Sequence, residues 1–117
     1  MLTIYHNPRC SKSRNTLKLI EASETPVEVI KYLEHPPSVD TLVTVHKKLG
    51  VPVSQMLRNK ESLFKELGLN LNDERSHEAW FEIVHENPIL LERPIVVSET
   101  SAIIGRPPEN VQALLNP

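Results

Sequence analysis

Apolar and polar positions divide this chain into short elements. Leu2 to Tyr5 is a compact apolar run that Asn7-Pro8 breaks, the pattern of a short buried strand. From about Ser11 to Ala22 the spacing predicts a helix with Leu17 and Ile20 turned inward. Val27 to Leu33 is β-branched and aromatic and predicts a second strand. The chain therefore opens β-α-β, and if the two strands are parallel the crossover is right-handed.

The middle of the chain reads differently. Ser38 is a good N-cap, and Val39, Leu42, Val43 and Leu49 follow at helical spacing until Gly50. Ser54 to Leu57 predicts a short helix, and Glu61 to Leu67 another that stops at Gly68. Ser76 caps a further helix whose inward stripe is Trp80, Ile83 and Val84. The block from about 38 to 86 is helical and lacks strands. Strand composition returns at Pro94 to Val97 and at Ala102 to Ile104, a hairpin with Ser98 to Ser101 at its turn. Pro107-Pro108 then opens a last helix with Val111, Leu114 and Leu115 inward. The order β-α-β, helices, β-β-α predicts an α/β fold: a four-stranded mixed sheet flanked by helices, as in thioredoxin-like proteins. The helical block is an insertion on it, and residues 1–117 are one domain.

Composition narrows the class. A length of 117 residues suits one domain with its own core. With 39% hydrophobic and 24% charged residues, neither disorder nor a disulfide scaffold fits. The ten prolines fall at the predicted boundaries, so they punctuate elements and do not interrupt them. A net charge of -2 argues against a nucleic-acid-binding surface. No apolar run approaches the roughly 18 residues a membrane helix needs. The N-terminal sequence suggests no secretory signal. One cysteine closes no internal disulfide, and the simplest location is a reducing cytoplasm.

That cysteine carries the chemistry. Cys10 lies between the first predicted strand and the first predicted helix, where helix N–H groups favour an anion. His6, Arg9, Lys12 and Arg14 all lie within four positions of it. A thiol pKa about two below the ordinary value takes about 2.7 kcal/mol. A helix end usually supplies about 0.3–1 kcal/mol, and up to about 2. A positioned cation or a direct hydrogen bond must therefore add to the helix. His6 can help as an imidazolium by charge, or as a neutral ring by one hydrogen bond.

Several chemistries are excluded. Ser13 stands where a dithiol pair needs its second cysteine. Thr16 stands where a phosphatase-type cysteine loop needs arginine. His77-Glu78 begins a zinc-protease motif, but Phe81 replaces its second histidine. One cysteine among scattered histidines makes no structural zinc site, and no metal is expected. Three glycines supply no phosphate-binding loop. His35, His46, His77 and His85 read as structural or exposed, with His46 near a packed helix face, and Trp80 reads as core.

Five ordered blocks carry a resemblance. They are Tyr5 to Asn15 around Cys10, Tyr32 to Pro37, Met56-Leu57-Arg58, Asn87 to Val97, and Gly105-Arg106-Pro107. In these the chain resembles the ArsC family, the glutaredoxin-coupled, thioredoxin-like arsenate reductases. The resemblance implies that Cys10 is the nucleophile and that His6 helps hold it as thiolate. It implies that Arg58, Arg93 and Arg106 bind the oxyanion, and that a cis-proline, Pro94, lies beside the cysteine. It further implies arsenate as substrate, glutathione as co-substrate, glutaredoxin as partner, and no bound cofactor. Each arginine also has a plainer reading. Arg58 could be a surface residue on a short polar helix, Arg93 could pair with a carboxylate, and Arg106 could cap carbonyls. Arg9, Lys12 and Arg14 are secondary candidates for general electrostatic bias.

Two rival functions share the fold. Spx-type regulators bind RNA polymerase, and many carry a Cys-x-x-Cys switch that Ser13 breaks here. A thiol oxidoreductase of the same fold could instead act on another oxyanion or on mixed disulfides.

Overall fold

Four strands form one mixed sheet in the order β2-β1-β3-β4. In the computed structural model, which describes residues 1–115, they are β1 (Leu2–His6), β2 (Val27–Lys31), β3 (Ile95–Val97) and β4 (Ala102–Ile104). β2 runs parallel to β1, and β3 is antiparallel to both β1 and β4. The crossover between the parallel pair is helix α1 (Ser11–Ala22).

The chain divides into two compact units, one joining Met1–His35 to the segment from Arg93 onward, the other Pro36–Glu92. In the first unit, alternate residues of β1 turn Leu2 and Ile4 to one face, where they meet Ile20, Val96 and Val111. Leu17, Leu19, Val27, Ile103, Leu114 and Leu115 pack around that cluster. Leu17 is only half-buried, and the first turns of α1 send polar Ser13 and Thr16 inward. β2 ends at Lys31, short of Leu33, because the N–H groups of Glu34 and His35 turn back to the Lys31 carbonyl at 3.0 and 2.9 Å. The hairpin turn is tied by Ser98, whose N–H donates to the Ser101 carbonyl at 2.8 Å. After Pro107 the chain makes a 3-10 turn, Pro108–Val111, before the single-turn helix α5 (Gln112–Leu115) is added.

The second unit holds α2 (Val39–Leu49), α3 (Ser62–Glu66) and α4 (His77–Glu86). Ser38 and Ser76 cap α2 and α4, accepting the N–H groups of Thr41 and Ala79 at 3.1 Å each. Gly50 ends α2 with a φ of 65°, a left-handed conformation that suits glycine. The inward residues of α2 are Leu42 and Val45. Those of α4 are Trp80, Phe81 and Val84, with Phe81 in the place expected for Ile83. The segment expected as a helix at Ser54 to Leu57 is a 3-10 turn, Val53–Met56. It leads into an antiparallel bridge between Leu57 and Leu91. His46 is half-buried, and its Nε2 lies 2.9 Å from the Val51 carbonyl. No helix among the described residues is long and apolar enough to cross a membrane.

Back in the first unit, one close approach fixes the sheet end. The Gly105 N–H donates to the Pro94 carbonyl at 2.9 Å. A Cβ on residue 105 would lie 2.6 Å from Thr16 Oγ1 and 2.7 Å from Pro94 Cγ. Neither neighbour is the far end of a flexible chain. Gly105→Ala therefore should destabilise the fold by about 1–3 kcal/mol, the usual range for overpacking. Denaturant unfolding checks this, and a loss below about 0.5 kcal/mol, the ordinary scatter of surface changes, contradicts the close approach.

Candidate active site

Strand register brings distant residues to one end of the sheet. Tyr5 pairs with Ile95, and Ile95 pairs with Ile104. The C-terminal end of β1, the start of β3 and the end of β4 therefore lie side by side. His6 closes β1, Arg93-Pro94 precedes β3, and Gly105-Arg106 follows β4. The chain leaves β1 at this end and turns through Asn7 to Arg9 to reach Cys10. All of these residues belong to the first unit.

Cys10 is the N-cap residue of α1, with extended φ and ψ of -97° and 123°. Its N–H donates to the Asn7 carbonyl, and its own carbonyl accepts from the Arg14 N–H, both at 3.0 Å. The free thiol is half-buried. Burial pushes the thiol pKa up. Against it act the Ser13 N–H, the Arg93 guanidinium, the Lys12 N–H and the Arg106 guanidinium, and the net result lies below the ordinary cysteine value. The thiol makes no cap hydrogen bond of full geometric quality, so the helix N–H groups act on the sulfur chiefly through their field.

The two arginines come from the β3–β4 hairpin. Arg106 is exposed and its Nη1 donates to the Arg93 carbonyl at 3.2 Å, which ties the two flanks together. The Arg93–Pro94 peptide is cis, in agreement with expectation, and so is Arg106–Pro107.

The local cations behave otherwise. Arg14 reaches back to the Pro8 carbonyl at 3.0 Å, so it braces the loop. Arg9 is exposed, and its N–H donates to Asn7 Oδ1 at 3.0 Å. The side-chain charges that favour the thiolate are thus distant in sequence. His6 is buried, and its hydrogen bond is with Ser13: Nδ1 lies 2.7 Å from Ser13 Oγ. Burial first, then Lys31 and Arg14, lower its pKa against the opposing pull of Glu21. The shift favours the neutral ring, the form that can act by a hydrogen bond.

Arg58 is in the second unit and not on a helix; it follows the bridge residue Leu57. Its N–H donates to the Leu90 carbonyl at 2.8 Å. Its guanidinium pairs with Glu61 at 2.9 Å and reaches the Ile89 carbonyl at 3.4 Å.

Sequence reasoning passed over Ser13 and Gly105. The sequence marks Ser13 only as the residue that denies Cys10 a second thiol. Its inward position in the first turn of α1 was the available signal. Among the described residues no group of three or more His, Cys, Asp or Glu could hold a metal ion.

The charge balance at Cys10 predicts its titration. The rate of iodoacetamide alkylation against pH should reach half its maximum at a lower pH in the folded chain than in the unfolded one, the ordinary value for this thiol. Arg93→Ala and Arg106→Ala should each raise that half-point by about 0.2–0.7, the equivalent of a partly screened ion pair. A half-point at or above the ordinary value, or indifference to both substitutions, contradicts the arrangement.

Comparison with known proteins agrees with this architecture. The ArsC family model matches residues 5–114. The chain is 44% identical to an arsenate reductase of Neisseria meningitidis, over 97% of each chain. It is 49% identical to an uncharacterized protein of Escherichia coli, YfgD, over 92% of this chain and 91% of that one. The solved structure of an arsenate reductase from Vibrio cholerae matches with a TM-score of 0.89 at 49% identity, covering 96% of this chain and 95% of that one. The fold is the thioredoxin-like mixed sheet flanked by helices, and the chain belongs to the ArsC family.

Proposed function

We propose that this protein reduces arsenate to arsenite with Cys10 as its single nucleophile. The observation that supports the reading is the strand register that brings the flanks of β3 and β4, with Arg93 and Arg106, to the end of the sheet from which the chain leaves β1 for Cys10 at the N-terminus of α1. The arsenate reductase names of its relatives support the substrate. The proposed domain is the whole chain, 1–117, with the helical block as an insertion.

Arsenate is a tetrahedral oxyanion with more than one negative charge near neutral pH. An approaching thiolate is repelled by it. Arginine stays protonated and presents a planar fork of donors to such an anion. Each hydrogen bond to a charged group contributes about 1.5–3 kcal/mol, enough in sum to offset the repulsion. Arg93 and Arg106 fill this role, and Arg58 is a third candidate on the strength of the family resemblance. His6 supports the thiolate as a neutral ring.

The thiolate attacks arsenic and an oxygen leaves as water or hydroxide, giving a cysteinyl-arsenate. Glutathione thiolate then attacks the Cys10 sulfur. An S–S bond forms, the S–As bond breaks, and its electron pair leaves with arsenic, which is thereby reduced to arsenite. Glutaredoxin removes the glutathione from Cys10 by thiol–disulfide exchange. The cycle needs no bound cofactor and works in a reducing compartment such as the cytoplasm.

Steady-state arsenate reduction, with and without glutathione and glutaredoxin, tests the reading. Turnover should need both thiol components and should vanish in Cys10→Ser without loss of folding. Arg58→Ala should weaken arsenate handling and leave the Cys10 half-point in place. Turnover that survives Cys10→Ser, or no arsenate reduction by the native chain, contradicts the proposal.

A further inference from the structure

We propose that Ser13 is a positioning residue whose hydroxyl bridges the Asn7 N–H and His6 Nδ1, and so ties the first turn of α1 to the loop that carries Cys10. The inference deepens the proposed role of Cys10 and rests on its being the working thiolate.

The proton inventory carries the argument. Ser13 is fully buried at 0% exposure. Its Oγ accepts the Asn7 N–H at 3.1 Å and lies 2.7 Å from His6 Nδ1. The hydroxyl has one proton to give, and a buried donor needs an acceptor. His6 Nδ1 is the one acceptor these contacts offer. If Nδ1 carried a proton, the Ser13 oxygen would accept twice and its own buried proton would have no partner among these contacts. The bridge is therefore Asn7 N–H to Ser13 Oγ, and Ser13 O–H to His6 Nδ1. The ring proton of His6 is on Nε2.

This bridge closes the Cys10 loop from a second side. Backbone bonds already join Cys10 to Asn7 and Arg14 to Cys10. The Ser13 side chain adds a tie from α1 back to the residue that leaves β1. The N–H of Ser13 is the strongest of the groups that favour the Cys10 thiolate. The hydroxyl and that N–H belong to one residue, so anchoring the first aims the second. His6 then acts on Cys10 through Ser13. The charged groups facing His6 are Lys31 and Arg14, which disfavour its protonation, and Glu21, which favours it. Protonation of His6 in acid would reverse the bridge by placing a second donor against the Ser13 hydroxyl.

Two measurements on the full chain test the proposal. Long-range 1H–15N spectra at pH 7 should show His6 with its proton on Nε2 and Nδ1 acting as acceptor. Ser13→Ala should lose that tautomer signature and raise the Cys10 alkylation half-point by about 0.5, roughly a three-fold loss of thiolate reactivity below the half-point. Ser13→Thr, which keeps the hydroxyl, should restore both. A His6 protonated on Nδ1 in the native chain overturns the proposal. So does a folded Ser13→Ala that titrates like the native chain. If Ser13→Ala fails to fold, the native tautomer decides. Neither readout uses arsenate: a chain without arsenate turnover but with these signatures would sink the proposed function and leave this inference standing.

Discussion

Cys10 occupies a position where two opposed forces meet. Partial burial favours a neutral thiol, because a low-dielectric surrounding disfavours charge. Helix N–H groups and two guanidinium groups favour the thiolate, and they prevail. Every other feature of the site serves that contest. An N-cap cysteine places sulfur where serine or aspartate would ordinarily accept helix N–H groups. The sulfur here feels the field of those N–H groups without a full cap hydrogen bond, and it is only half-buried.

Sheet topology explains how so short a chain assembles the site. β3 and β4 contribute three residues each, too few for much stability alone, yet their pairing fixes Arg93 and Arg106 at the same end as His6. Gly105 lets Pro94 and Thr16 approach closely, which seats the hairpin against α1. The polar inward face at the start of α1 follows from the same geometry. Thr16 donates to the Lys12 carbonyl at 2.8 Å and Ser13 serves the loop, while Ile20 one turn further on joins the apolar core.

Periodicity and punctuation made most elements legible. Ser38, Gly50 and Ser76 mark helix ends through side-chain or backbone chemistry that is local, so the sequence carries them openly. The substitution of Phe81 for Ile83 in the inward stripe of α4 depended on which neighbours that face meets, which is not local. At the site, Arg9, Lys12 and Arg14 lie near Cys10 in sequence and read as secondary candidates. Distance along the chain is a poor guide to distance from sulfur: Arg14 braces the loop at Pro8, while Arg93 and Arg106 supply the charge. The role of Ser13 was hidden for a related reason. A hydroxyl reveals its partners only when burial and register have fixed them.

The Cys10 thiolate is favoured by the native fold. Its folded pKa lies below the unfolded one, so the unfolded chain binds more protons between the two values. Thiolate stabilisation is then fully present above the unfolded value and is lost as pH falls through the folded one. The most direct measurement is the unfolding free energy of the native chain minus that of Cys10→Ser, followed from about pH 5 to about pH 9. That difference should rise with pH, with a slope of at most about 1.4 kcal/mol per pH unit. A difference that stays flat, or that falls, would contradict the account.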